Sequence, residues 1–439
     1  MTTPICDFVR SYEAGKPIRL HMPGHKQGKD ITEIPGADVL YAAEGIIRES
    51  EENAAALFQS GRTLYSTEGS SLCIRAMLYL AQMHAALQGR RARIAAGSNA
   101  HRVFLEAAAL LDPELEWIGR SESLLECRIG AEELETLFQS PETAPTAVYI
   151  TTPDYLGNRT DLRPIAALCR KHGALLLADN AHGAYLRFLA EGGHPLEQGA
   201  DICCDSAHKT LPVLTGGAWL HFSKSCPEAF MEMGERAMAL FASTSPSYLI
   251  LASLDEMNRR LSGDYPARLE KTAKRVSGMK EELEKTGWRL YGSEPLKLTL
   301  RVKEYGYTGG EVNEYLRKNG IFCEFSDEDF LVMMLSPENG VEELDAVVRR
   351  LAELPRRAAI TAGPPKPGRP ERVLTPHEAL MLPFESVPAE ESLGRIMASP
   401  SVSCPPAVPI LVCGERIDKQ AVEMFRYYGV GKCDVVRES

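Results

Sequence analysis

An aspartate closing one apolar run and a lysine just past another are the residues of this chain best suited to covalent chemistry. The first lies in Ala174-Leu-Leu-Leu-Ala-Asp-Asn-Ala-His182, the second in Asp205-Ser-Ala-His-Lys-Thr210. A lysine beside a buried strand end is poorly solvated, so its pKa falls and the neutral amine becomes a nucleophile able to form a Schiff base. A buried carboxylate is costly unless it is paired, and the protonated nitrogen of a pyridine ring is one such partner. Taken alone, Asp179 reads first as a helix N-cap and Lys209 as a surface lysine. Taken together, at the ends of successive strands of one sheet, they can reach one face of one ligand. Pyridoxal phosphate offers both a carbonyl carbon for the amine and a ring nitrogen for the carboxylate.

Its phosphate needs an anion site, and the sequence supplies candidates. Thr67-Glu-Gly-Ser-Ser71 precedes a helical pattern over 72–87. Gly69, Ser70 and Ser71 would therefore sit at a helix start, where N–H groups and the dipole favour a phosphate, although an ordinary helix cap accounts for them as well. The Ser206 hydroxyl and the His208 ring flank Lys209 and offer further donors. Ser98-Asn-Ala-His101 follows the run at 93–96, so the His101 ring could stack on a cofactor or simply cap a helix. Leu20-His-Met-Pro-Gly-His-Lys26 sets His21 and His25 around a Pro-Gly turn. With no carboxylate or third histidine beside them, a substrate-site loop is the expectation rather than a metal site, and no metal is expected elsewhere.

These residues need a scaffold. Short apolar runs at 93–96, 146–151, 174–178, 200–204 and 217–222 alternate with amphipathic stretches. The pattern predicts an α/β fold with a mostly parallel sheet covered by helices. A helix over 161–172 is expected, with Asp161 as N-cap and Gly173 at its end. A long helical stretch, 248–285, breaks near 263–266. Beyond it, a strand at 296–302, a helix at 308–319, strands at 321–324 and 330–335 and a helix at 341–354 predict a small α/β lobe. Four prolines and two glycines in Ala362-Gly-Pro-Pro-Lys-Pro-Gly-Arg-Pro370 mark a linker before a small C-terminal unit. The resulting division is an N-terminal segment at 1–45, a large cofactor domain at 46–262, the small lobe at 263–358, the linker at 359–372 and a C-terminal domain at 373–439.

Composition excludes several classes. Of 439 residues, 44% are hydrophobic and 25% charged, which is the mix of a globular protein. A net charge of −11 argues against nucleic acid or an anionic membrane as the partner. The N-terminus lacks the apolar core of a signal peptide and no run approaches a membrane span. Eleven cysteines without CxxC pairs read as reduced core residues of a cytoplasmic protein rather than as a disulfide framework.

In this order the motifs resemble those of the bacterial ornithine/lysine/arginine decarboxylases, pyridoxal-phosphate enzymes with the aminotransferase-like (fold type I) architecture. The matching stretches are HMPGHK at 21–26, STEGSS at 66–71, NAH at 99–101, TTPDYLG at 151–157, DNAH at 179–182, SAHKTLP at 206–212, TSPSYLILASLD at 244–255 and PLKLTL at 295–300. SLGRIMASPSVSCPPAVPILVCGE at 392–415 matches more weakly. The resemblance implies Lys209 as the Schiff-base lysine, Asp179 on the pyridine nitrogen, His101 stacked on the ring and His182 near its phenolic oxygen. Ser70, Ser71, Ser206 and His208 would hold the phosphate, with Thr244 or Ser245 reaching across from a partner subunit. The same resemblance makes Glu324 and Asp327 an acidic pair for a cationic substrate side chain and Tyr155 a substrate-side residue.

The activity that the resemblance implies is α-decarboxylation of arginine, lysine or ornithine to an amine of the polyamine pathways and carbon dioxide, by a homodimer with shared sites. Longer family members build rings through an N-terminal wing. This chain starts near HMPGHK, so a dimer without rings is expected. It departs from the family pattern on the substrate side. HKQG stands for HKG or HKGG, Leu214-Thr-Gly216 for a leucine–threonine–glutamine run, Pro153-Asp-Tyr155 for PTY, Pro405-Pro-Ala407 for PPG and Cys413-Gly-Glu415 for PGE. These changes leave two other readings open. One is a different reaction on the same cofactor, such as transamination or aldol-type cleavage; the other is a non-catalytic, cofactor-binding paralogue.

Overall fold

The computed structural model describes residues 1–120, 127–368, 370–399, 401–404 and 408–438. Arg369 of the expected linker and the 405–407 departure lie outside the described residues. Seven strands precede the small lobe: β1 (Arg62–Ser66), β2 (Arg93–Gly97), β3 (Glu114–Ile118), β4 (Ala147–Thr151), β5 (Leu175–Asp179), β6 (Ile202–Asp205) and β7 (Ala218–Phe222). The chain divides into two compact units, one of residues 1–92, 145–152 and 161–270, the other of 93–144, 153–160 and 271–439.

In the first unit the strands run in the order β1-β7-β6-β5-β4. β4, β5 and β6 are parallel neighbours, and β7 is antiparallel to both β6 and β1. Every residue of β5 and β6 is buried. That is why these strands read as continuous apolar runs rather than alternating ones, as strands covered on both faces do. The helix Arg163–His172 ends as expected on Gly173, which has a φ of 67° that glycine adopts without strain. Its start differs from expectation by one residue. Leu162 holds the N-cap position, and Asp161, one place earlier, accepts from the Arg163 N–H at 3.2 Å. The run at 200–204 is likewise displaced: pairing extends through Asp205, so the charged residue belongs to the strand.

The long helical stretch resolves into the helices Tyr248–Leu261 and Tyr265–Lys285, parted at 262–264. Ser247 caps the first of them, accepting from the Ile250 N–H.

The second unit contains the parallel pair β2 and β3. It also holds an antiparallel sheet of β8 (Leu290–Tyr291), β9 (Lys297–Arg301), β10 (Phe325–Ser326) and β11 (Phe330–Met334), ordered β10-β11-β9-β8. The helices Gly309–Lys318 and Val341–Glu353 follow the expected pattern. Thr308 and Glu311 form a capping box at the start of the first. The expected strand at 321–324 is not formed. Gly320 leaves the helix with a φ of 77°, residues 321–323 cross back unpaired, and pairing begins only at β10. Phe322, whose apolar character suggested a strand, is 81% exposed.

Residues past the linker build the pairs β12 (Phe384–Pro388) with β15 (Lys432–Val436) and β13 (Ser401–Cys404) with β14 (Val408–Val412). Met397, Leu411, Ile417, Phe425 and Val435 pack as a core of their own there. The described cysteines are free thiols. No helix among the described residues is long and apolar enough to cross a membrane.

Candidate active site

In the first unit the parallel strands deliver their polar residues at their C-terminal ends, where open α/β sheets bind ligands. Asp179 is the last residue of β5 and is 2% exposed. Its Oδ1 accepts the Ala181 N–H at 3.1 Å and the Cys204 thiol at 3.7 Å, while Oδ2 accepts the Tyr149 hydroxyl at 3.1 Å. Among the described residues no cation pairs with it. A carboxylate fixed by neutral donors and lacking a counter-charge fits the protonated nitrogen of a pyridine ring.

Lys209 comes from the next connection. The four-residue helix Ala207–Thr210 follows β6 directly, so the lysine is tied within a few residues to the strand paired with β5. Its Nζ lies 3.3 Å from His182 Nε2, three residues beyond Asp179. The structure thus brings together Asp179, His182 and Lys209 through the adjacency of two strands.

A cluster of hydrogen-bond donors lies in the same unit. Ser206 Oγ donates to Ser70 Oγ at 2.8 Å, joining the residue after β6 to the start of the helix Gly69–Leu87. Gly69 has a φ of 72°, and its N–H bonds the Gly216 carbonyl at 2.7 Å. A β-carbon there would stand 3.8 Å from His208 Cε1, which places that ring against the helix start. His208 Nδ1 faces the Gly217 carbonyl at 2.9 Å and therefore carries the proton, leaving Nε2 available. Burial, reinforced by the Lys209 charge, keeps His208 below the ordinary histidine pKa despite that bond. Helix N–H groups, two serine hydroxyls and an imidazole make a donor set suited to a phosphate.

Thr244 and Ser245 are exposed on this unit. Their segment is held by the Ser243 N–H, which donates to Glu68 Oε1 at 2.8 Å. His21 and His25 make local contacts: the first with the Tyr12 hydroxyl at 2.5 Å, the second with Asp30 Oδ2 at 3.0 Å.

The remaining candidates belong to the second unit. His101 is the N-cap of the helix Arg102–Leu111, its Nδ1 accepting the Val103 N–H at 3.2 Å. This capping bond uses the ring edge. Tyr155 donates to Glu324 Oε1 at 3.0 Å, and Glu324 is otherwise exposed. Asp327 is built into a turn: Oδ1 accepts the N–H groups of Asp329 at 2.8 Å and Phe330 at 2.7 Å. Its Oδ2 is buried without a partner, and burial raises the carboxyl to about 6.

One cluster escaped the reading of the sequence. Asp205, wholly buried at the end of β6, accepts Asn180 Nδ2 on Oδ1 at 2.7 Å and His194 Nε2 on Oδ2 at 3.0 Å. His221 Nε2 approaches Oδ2 at 3.3 Å, close but poorly aligned for a hydrogen bond. Three such side chains are a potential metal triad. The protons argue otherwise. His194 Nδ1 accepts the Leu196 N–H, so the proton of the neutral ring sits on Nε2, where a metal would have to bind.

Burial alone would raise the Asp205 carboxyl, but the imidazoles of His194 and His221 packed against it outweigh that and hold it well below the usual range. The signal available in sequence was that two successive apolar runs both end in aspartate. His194 and His221, far apart along the chain, offered none.

With the fold and these residues in place, the chain matches the Orn/Lys/Arg decarboxylase major domain over residues 29–299 and the C-terminal domain of the same family over 366–432. It belongs to the Orn/Lys/Arg decarboxylase family, whose enzymes use pyridoxal phosphate, and its function is decarboxylation of a basic amino acid. Among its relatives, the arginine decarboxylase of Bacillus subtilis (strain 168) is 26% identical across 96% of this chain and 92% of the relative. That of Halalkalibacterium halodurans is also 26% identical, across 97% and 93%. The constitutive lysine decarboxylase of E. coli has the same fold, with a TM-score of 0.78 and 17% identity over 99% of this chain and 82% of that one. A NifS-like protein superposes less closely, at a TM-score of 0.58 and 14% identity over 80% and 94%. The architecture is that of the fold-type-I pyridoxal-phosphate enzymes.

Proposed function

We propose that the reaction is carried by the residues at the ends of β5 and β6, with arginine as substrate and a cytoplasmic homodimer as the working form. Arginine is favoured by the names of the bacterial relatives. The dimer is favoured by Thr244 and Ser245, which stand exposed beside a segment anchored to the helix-start turn through Glu68. The observation that carries the assignment is the 3.3 Å approach of Lys209 Nζ to His182 Nε2, next to the buried and cation-free Asp179.

Lys209 is the attachment point for the cofactor, and its ammonium and the His182 ring are the groups within reach of each other to pass a proton. Asp179 holds the proton on the ring nitrogen. Ser70, Ser71, Ser206 and His208, with the Gly69 turn, would hold the phosphate, and His101 is the residue that the family resemblance assigns to the ring. Bound there, pyridoxal phosphate supplies an electron sink for the pair left on the α-carbon when carbon dioxide departs. His182 or the Lys209 amine would deliver a proton to that carbon. Glu324, positioned by Tyr155, takes the cationic side-chain end, as a charge-assisted pair requires. His21, His25 and Asp327 stay substrate-side candidates of lower reach, since each is already committed to a local hydrogen bond.

The test is an amine-product screen over basic, neutral and acidic amino acids, combined with borohydride reduction and peptide mapping. Agmatine with stoichiometric carbon dioxide and a label on Lys209 are the expected results. A keto acid or aldehyde product, or a label on another lysine, overturns the reading.

A further inference from the structure

β4 contributes a residue that the chemistry above does not use. Tyr149 lies mid-strand, fully buried, and its hydroxyl reaches Asp179 Oδ2 at 3.1 Å. The register explains the reach. Tyr149 is the Cα partner of Leu177, two residues before Asp179 on the neighbouring strand, so a long side chain extending along the strand direction meets the carboxylate at its end.

The direction of the hydrogen bond is fixed. A carboxylate has no proton to give, so the phenol donates. Burial, followed by the Asp179 charge, pushes the Tyr149 hydroxyl well above its ordinary pKa and keeps its proton in place. On the opposite oxygen the donors are the Ala181 N–H and the weak Cys204 thiol. Tyr149 is thus the one side-chain O–H donor to Asp179 among the described residues, in a buried setting that strengthens a charge-assisted bond.

We propose that Tyr149 is a positioning residue of the decarboxylation, whose hydroxyl fixes and aims the Asp179 carboxylate so that the cofactor's ring nitrogen keeps its proton. The proposal rests on the assignment of Asp179 to that nitrogen. Removing the phenolic oxygen leaves the carboxylate less stabilised as an anion, and the shared proton moves toward Asp179. The ring then withdraws electrons less well. Binding of substrate, which does not involve Tyr149, is unaffected.

The experiment compares wild-type holoenzyme, Tyr149→Phe and Asp179→Asn by steady-state kinetics and by nitrogen-15 NMR of cofactor labelled at the ring nitrogen. Tyr149→Phe is expected to lower kcat about tenfold, the loss of one charge-assisted hydrogen bond felt at the transition state, with KM within about twofold. Its nitrogen resonance is expected to move toward the unprotonated-pyridine position, in the same direction as in Asp179→Asn but less far. A purely structural tyrosine would change the melting temperature and leave the resonance alone. If Asp179→Asn shifts the resonance while Tyr149→Phe leaves both resonance and kcat at wild-type values, the Tyr149 proposal is overturned. If Asp179→Asn itself leaves the resonance unmoved, the underlying assignment fails instead. Should Tyr149→Phe not fold, site-specific 3-fluorotyrosine at position 149, a more acidic donor, is expected to shift the resonance the opposite way, and an unchanged resonance overturns the proposal.

Discussion

Two aspartates show how differently the two units treat a buried carboxylate. Asp205, in the first unit, has both oxygens occupied by side-chain donors from Asn180 and His194, with His221 close by, and is held ionised. Asp327, in the second, gives one oxygen to its own turn and buries the other without a partner, and its carboxyl rises to about 6. The donors of Asp205 come from remote points of the sequence and converge only when the sheet is complete. Those of Asp327 are backbone groups two and three residues away. The first unit thus fixes Asp205 through tertiary structure, whereas the second fixes Asp327 within its own turn.

Substitutions on either side test this difference, beginning where the loss should be greatest. Lys209→Ala should abolish turnover, with a loss of at least about a thousandfold, or about 4 kcal/mol at the transition state. Borohydride labelling should disappear with it, and a labelled, active Lys209→Ala protein would remove the first unit from the chemistry. Asp205→Ala strands the Asn180 and His194 donors in a dry interior. It should destabilise the fold by about 3–5 kcal/mol in denaturant titrations, whereas a loss under about 1 kcal/mol would mean that the network is slack.

Glu324→Gln should raise KM for the basic substrate about tenfold, or about 1.4 kcal/mol, with cofactor absorbance intact. An unchanged KM would take Glu324 out of the pocket.

The smallest effect is in the pH dependence of stability, where the two aspartates have opposite signs. The depressed carboxyl of Asp205 stabilises the fold above the unfolded aspartate value of about 3.9, and that contribution is lost as pH falls through its lower folded value. The raised carboxyl of Asp327 does the reverse, with folded protein losing stability as pH rises from about 3.9 toward about 6. Asp327→Asn should flatten the profile in that window and leave the acid limb untouched. A profile identical to wild type between those pH values would show that Asp327 is solvated.

Much of this was legible in the sequence because the chemistry sits where patterns end. Asp179 and Lys209 were singled out from the apolar runs before them, and Gly173 announced its helix terminus through capping chemistry. The strand expected at 321–324 failed because Ile321 and Phe322 look like core residues, yet Phe322 faces solvent. Tyr149 passed as one more apolar strand residue, since nothing in a single strand reveals which neighbour it will meet. Asp205 ended an apolar run in plain view, but His194 and His221 gave no sign of meeting it, for the same reason. Its partners are set by strand order, which one chain read in isolation does not contain.

The position of β7 between β6 and β1 carries a consequence for how the protein is made. β1 pairs with β7 across the register Arg62↔Phe222, so an early strand waits for a partner about 160 residues later. The connection bearing Lys209 runs directly from β6 into that same late strand. During synthesis, at roughly 5–20 residues per second, β1 stays an open edge for roughly ten to thirty seconds after it emerges. Nascent chains that stop short of Phe222 should therefore not retain the cofactor, and full-length chains should acquire it as a late event. Closure of this non-local strand pairing and placement of the Lys209 connection therefore depend on the same late strand.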